Sequence, residues 1–276
     1  MPSELNHCLQ RLQTEPAVLV TVAQARGSVP RESGAWMAVF ASGMVGTIGG
    51  GHLEWDALQQ ARAHLSAPPG TPSAPWEQSV ALGPSLGQCC GGVLRLRFEP
   101  VTAADTERLR EALARPLTPV ALFGGGHVGH ALVQALAPLP FEVLWVDSRD
   151  GVFPAELPGT VRAEHSDPVQ AAVRDLAPGS RVLIMSFSHA EDLDIVATCL
   201  QRQRDQADLP FVGLIGSRTK WATFRHRLEA RGFGADELAH ITCPIGLPGI
   251  TGKAPSVIAA SVVAQLLLLE HAGADR

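Results

Sequence analysis

Residues 87–92 read GQCCGG, and this stretch places two thiols, Cys89 and Cys90, side by side between glycines. On a strand, neighbouring side chains point to opposite faces. Flanking glycines allow a bend that turns both toward one ligand. A thiolate is a soft metal ligand and a sulfur nucleophile, so the pair suits metal ligation or the carriage of a persulfide. The plainer alternative is a pair of small buried hydrophobes at a strand end. The chain's other cysteines are Cys8, Cys199 and Cys243, and no two of the five form a CxxC, which argues against a tetrahedral structural zinc site.

A second group of residues suits an anion. "VALFGGGHVGHALVQALA" carries Gly124, Gly126 and Gly129 in GxGxxG spacing between a strand-like and a helix-like run. The first glycine permits the tight turn, the second lets a phosphate approach the backbone, and the third lets helix and strand pack closely. Asp147 ends the next apolar run, 21 residues beyond Gly126, where an acid binds a ribose hydroxyl pair. His127 opens the helix as a bulky titratable group beside the expected phosphate. The same glycines also suit a turn that serves only as scaffold.

Further candidates lie in loops. Arg31, in "GSVPRESGA", offers a guanidinium with paired donors for a phosphate or another acceptor, or else is an exposed loop arginine in an ion pair. "GTIGGGHLEWD" sets Gly50, Gly51 and His52 at a helix start with Glu54 in its first turn, so its amides face an anion or Glu54 simply favours the helix dipole. His189, Asp192 and Asp194 follow a strand-like run; helix-starting acids are a commoner reading of them than a metal site. "GITGKAP" is no Walker loop, since position 247 is Leu and Ala254 stands where Ser or Thr is needed, although Lys253 and its glycines suit a phosphate.

The elements that position these residues change character along the chain. In the first half, 17–27, 35–43 and 44–51 read as short strands, 52–65 as a helix, 66–75 as a Pro/Gly/Ser loop, 92–101 as a half-buried strand and 102–119 as a charged helix ending at prolines. In the second half, strand-like 120–123, 142–147, 181–187 and 211–216 alternate with helix-like 127–137, 167–177, 190–204 and 218–232. Such alternation predicts parallel strands with crossover helices. The expected fold is therefore α/β: a small α+β domain over 1–115, then a Rossmann-like doubly wound parallel sheet over 116–276.

Of the 276 residues, 46% are hydrophobic and 18% charged, a globular composition. Net charge is −5 and the cations are nearly all arginines, spread without a run, which argues against nucleic acid as a partner. The longest apolar stretch, "SVIAASVVAQLLLLE", falls short of the ~20 residues of a membrane span. The first residues read as a short amphipathic helix and not as a signal peptide, so the expected compartment is cytoplasmic.

Seven segments taken in order, "GSVPRESGAWMAVF", "GTIGGGHLE", "GQCCGG" with "LRFEP", "FGGGHVGHAL", "VDSRDGVFP", "GLIGSRTKWATFRHRL" and "CPIGLPGITGKAPSVIAASVVAQLL", closely resemble the XdhC family, accessory proteins of xanthine dehydrogenase. The resemblance implies an N-terminal domain followed by a Rossmann domain. It implies binding of the molybdenum cofactor in its molybdopterin form, protection of it and delivery to apo-xanthine dehydrogenase. It further implies sulfuration by a cysteine desulfurase and a homodimer. On this reading Cys89 or Cys90 contacts molybdenum or relays sulfur, and the protein is a maturation factor more than an enzyme. The competing reading is an NAD(P)-dependent oxidoreductase using the Gly124–Gly129 turn, with His189 as its one visible acid/base and no role for the cysteine pair.

Overall fold

A computed structural model describes residues 4–68, 74–82, 91–114 and 116–274, with the side chains of 271–274 excepted. The chain forms two compact units, Pro2–Arg115 and Pro116–Arg276.

The N-terminal unit runs α1 (Glu4–Leu12), β1 (Ala17–Arg26), β2 (Trp36–Phe40), β3 (Gly43–Gly46), α2 (Gly51–Leu65), β4 (Trp76–Ala81), β5 (Val93–Val101) and α3 (Thr106–Leu113). Its strands form one antiparallel sheet in the order β3-β2-β1-β5-β4. β1 alternates sides, as the two-residue period of a strand requires. Val18, Val20 and Val22 pack with Leu53, Ala57 and Ala61 of α2. Ala17 and Leu19 pack with Cys8, Leu9 and Leu12 of α1 and Leu109 of α3. The sheet is thus covered on both faces, by α2 on one and by α1 and α3 on the other. The β1–β5 register shifts between Val22 and Gln24, a bulge-like irregularity near the end of β1.

The C-terminal unit runs β6 (Thr118–Phe123), α4 (His127–Leu136), β7 (Phe141–Asp147), β8 (Val161–His165), β9 (Arg181–Ile184), α5 (His189–Gln206), β10 (Phe211–Leu214), α6 (Arg218–Ala230), α7 (Ala235–Leu238), β11 (Ile241–Thr242) and α8 (Pro255–Ala274). The strands are all parallel, in the order β11-β10-β9-β6-β7-β8. That order is the doubly wound Rossmann arrangement, which reverses direction between β6 and β9. One face packs on α4 and α8 around Trp145, Leu132 and Val262; the other packs on α5 and α6 around Phe123, Val196 and Phe224. Among the described residues no helix is long and apolar enough to cross a membrane.

One expected helix is different. Within 167–177 the chain makes 3-10 turns over Val169–Asp175. The segment is confined between Pro168 and Pro178, and it buries Val169, Ala172 and Val173 at the three- and four-residue spacing that a tight turn provides.

Candidate functional site

In the N-terminal unit three of the quoted segments meet. β4 and β5 form a hairpin closed at its base by the Leu82 N–H, which donates to Gly92 O at 2.8 Å. Cys89 and Cys90 fall between β4 and β5 in the sequence, outside the described residues. The described end of the hairpin abuts the loop after β1: a Cβ on Gly92 would fall 2.6 Å from both Arg26 O and Ser28 O. The glycine turn before α2 closes on the same loop. At Gly49, φ is +125°, a conformation that disfavours a side chain, and a Cβ there would lie 2.6 Å from Pro30 Cβ and 3.4 Å from Arg31 Cγ. Arg31, partly exposed, is 3.8 Å from Glu32, too long for a hydrogen bond.

The turn before α2 holds its own anion. The Glu54 carboxylate accepts from Thr47 Oγ1, from Ile48 N–H at 3.0 Å and from Gly50 N–H at 3.2 Å, while Gly49 N–H donates to Thr47 Oγ1 at 3.1 Å. Three amides of this turn are therefore engaged within the unit, and Gly51 and His52 remain at the mouth of the helix. His52 is exposed, 3.7 Å from Asp56 and stacked on Trp55 at 5.8 Å. A cavity of about 270 Å³ opens between α2 and the β4–β5 pair, lined by Leu53, Asp56, Gln60, Gln78 and Ser79 among others. Arg31 and the glycine loops are not part of its lining.

In the C-terminal unit Gly124 and Gly129 make the tight turn and the close helix–strand packing that their spacing predicts. Gly124 has φ +128°, and a Cβ there would sit 2.0 Å from Met185 O, so the ends of β6 and β9 touch. A Cβ on Gly129 would sit 2.0 Å from Gly124 O, the close helix–strand approach that needs glycine. Nothing lies within 4 Å of a Cβ on Gly126, which caps α4 in extended backbone and leaves the helix N-terminus open. His127 is exposed at the first position of α4. Below the turn, Trp145 Nε1 donates to Gly124 O at 2.9 Å and fixes its carbonyl.

Asp147 stands at the end of β7, 2% exposed. Oδ2 accepts from Gly125 N–H at 2.5 Å and from Arg149 Nη2 at 2.9 Å; Oδ1 accepts from the Arg149 N–H and Nε, both at 2.9 Å. Burial alone would push this carboxyl up, but the Arg149 hydrogen bonds and the Gly125 amide outweigh it and hold it below the usual aspartate value. Arg149 also stacks over the Phe187 ring at 4.5 Å, and Ser148 Oγ donates to Glu191 Oε1 at 2.7 Å. Arg149 sits in "VDSRDGVFP" but was not among the residues singled out from sequence. Its only sequence signal was its place two residues after the strand-ending acid.

His189, Asp192 and Asp194 do not converge. His189 meets Phe224 edge-on at 6.3 Å, and Asp194 pairs with Arg231 at 2.8 Å. Asp192 is buried and accepts from Ser186 N–H at 2.9 Å, Ser186 Oγ at 2.8 Å and Lys220 Nζ at 2.5 Å. This buried pair was not foreseen, although Lys220 is one of only two lysines in the chain. Lys253 is exposed on a loop whose Gly246 and Leu247 amides donate to Gln265 and Ser261 of α8. Among the described residues no group of three or more His, Cys, Asp or Glu is placed to hold a metal ion. The three described thiols are poor nucleophiles: burial pushes Cys199 up to about 12, and Cys8 and Cys243 up to about 11.

Residues 120–266 match the XdhC Rossmann domain, and residues 11–71 match the XdhC and CoxI family. The chain is similar to the uncharacterized protein YqeB of Escherichia coli K12, with 28% identity over 264 residues that cover 94% of this chain and 44% of that one. It thus spans less than half the length of that relative. Its fold is similar to a crystal structure from Bacillus halodurans described as a xanthine dehydrogenase, with a TM-score of 0.78 and 21% identity over 98% of this chain and 96% of that one. At that identity the likeness is one of fold. With the Rossmann match alone covering more than half of the residues and the other match falling in the N-terminal unit, the chain belongs to the XdhC family.

Proposed function

We propose that the protein is an accessory factor that binds the molybdenum cofactor in its molybdopterin form, shields it, supports its sulfuration and delivers it to apo-xanthine dehydrogenase. Family membership across both units supports the accessory role. The observation that carries cofactor binding is the convergence of the Arg31 loop, the turn before α2 and the base of the β4–β5 hairpin, between whose strands Cys89 and Cys90 fall in the sequence. Their chemistry suits the cofactor. Soft thiolates match a molybdenum held by a dithiolene, and the Arg31 guanidinium matches a phosphate with paired donors. When bound, the cofactor supplies a redox-active metal whose terminal oxygen is exchanged for sulfur. The chain's own work is to grip: Arg31 and the amides of Gly51 and His52 orient the phosphate end, and one or both thiols face the metal. A cysteine desulfurase provides the sulfur, the acceptor enzyme takes the cofactor within a complex, and the factor acts in the cytoplasm as a homodimer.

An NAD(P)-dependent oxidoreductase would need an acid/base at the carboxyl edge of the sheet. His189, its one candidate, packs edge-on against Phe224 and meets no carboxylate that would orient it among the contacts described. The test is purification of wild type, Cys89→Ala, Cys90→Ala and the double variant from cells that make molybdopterin, followed by assay of bound molybdenum and released pterin. The thiol variants are expected to fold normally and retain at most about a tenth of the wild-type molybdenum, a loss on the order of 1.4 kcal/mol. Wild-type retention in all three variants would remove the thiols from the reading.

A further inference from the structure

A Rossmann acid at the end of the strand after the glycine turn serves a dinucleotide by accepting hydroxyls of the adenosine ribose. An ionised carboxylate offers about four acceptor positions. At Asp147 four donors already use them: Gly125 N–H, Arg149 N–H, Arg149 Nε and Arg149 Nη2. Two of the four are backbone amides fixed by the ends of β6 and β7. The other two come from one guanidinium in a forked pair, the geometry that makes an arginine–carboxylate contact strong and directional.

The guanidinium is held from its second side as well. It lies 4.5 Å above the ring of Phe187, a side chain 66% exposed on the loop after β9. Beside it Ser148 bonds Glu191 at 2.7 Å, and Glu191 accepts from the Phe187 N–H at 3.2 Å. In the sheet β6 lies between β7 and β9. Contacts from the loop after β7 to the loop after β9 therefore span the end of β6, beside the Gly125 amide that Asp147 holds. A ribose seeking Asp147 has to break the forked pair and lift Arg149 off Phe187.

We propose that Arg149 is the specificity-determining residue of this crevice. It fills the ribose place from within, and so excludes ligands that present an adenosine-type vicinal diol, NAD-type dinucleotides above all. His127, exposed to the side, is not the barrier. The inference concerns the glycine turn of the C-terminal unit only, and it stands or falls apart from molybdenum cofactor binding.

Isothermal titration with NAD and with ADP-ribose tests it. Wild type is expected to bind both weakly. Arg149→Ala returns two acceptor positions to Asp147 and should tighten both ligands about tenfold or more. Arg149→Lys, which keeps one donor, should fall between. Asp147→Asn in the Arg149→Ala background should abolish the gain, and so should an ADP-ribose analogue lacking the adenosine 2′-hydroxyl. If Arg149→Ala melts early, Arg149→Met, which keeps an aliphatic stem over Phe187, is read in its place. The proposal is overturned if folded Arg149→Ala or Arg149→Met gains no affinity, if wild type already binds NAD as tightly as they do, or if the deoxy analogue gains equally. None of these readings involves molybdenum, so a failed cofactor assay leaves the result standing, and the reverse also holds.

Discussion

Each unit turns a strand into a helix through a run of glycines, and in each a carboxylate of the protein sits on the amides of the turn. The carboxylates reach it from different distances. Glu54 lies in the helix that the turn begins, four residues beyond Gly50. Asp147 comes from the end of the neighbouring strand, 22 residues beyond Gly125. The first arrangement is local: the first turn of the helix that the glycines open brings its own acceptor. The second exists only when two parallel strands are in register, and Arg149 extends it across the sheet to Phe187. A local acceptor shapes one loop, whereas a tertiary one ties that loop to the rest of the fold and decides what else may enter.

The largest effect is expected where the tertiary turn is tightest. Gly124→Val would set a branched side chain at φ +128° with its Cβ 2.0 Å from Met185 O. The Met185 carbonyl is backbone and cannot swing aside, so we expect a cost of about 3 kcal/mol or more and a melting temperature lower by on the order of 10 °C. Gly126→Ala, where a Cβ meets nothing within 4 Å, should melt like wild type. Equal melting of Gly124→Val and Gly126→Ala would mean that the turn is not tied to β9.

A smaller effect is expected at the distant carboxylate. Asp147→Asn weakens the forked pair and should cost about 2–3 kcal/mol at neutral pH. The folded-state value of Asp147 is depressed. Its contribution to stability is therefore full above the unfolded value of about 3.9 and is lost as pH falls through the lower folded value. Melting measured from about pH 6 down to pH 3 should show the wild-type advantage over Asp147→Asn shrinking in the acid range. A constant gap across that range would show that the charge on Asp147 is not what holds Arg149.

The local carboxylate should matter least. Glu54 is only partly buried, and Glu54→Gln keeps one acceptor oxygen, so we expect a cost of about 1 kcal/mol. Hydrogen exchange should quicken at the Ile48 and Gly50 amides and stay unchanged at Gly125. If Gly125 also exchanges faster, the two turns are not independent.

What the residues disclose by themselves follows from burial. β6, β7, β9 and β10 are covered on both faces, so each reads as an apolar run, and helix-like segments between them announce a doubly wound sheet. β4, reading WEQSVA, and β8, reading VRAEH, lie at sheet edges, where side chains meet water and no apolar pattern marks the strand. The glycine turns were legible because glycine spacing is a local record of backbone geometry. The meeting of the Arg31 loop with Gly49 and Gly92 was not, since it joins three segments far apart in the chain and rests on close backbone approach.

Asp147 shows the division most clearly. The sequence by itself determined that an acid ends the strand 21 residues after Gly126, because strand and helix lengths fix that spacing. Only the tertiary structure decided what the acid holds. How many acceptor positions remain on a carboxylate depends on every donor the fold brings to it, and here a backbone amide from β6 and a guanidinium braced on the loop after β9 use those that a ribose would need.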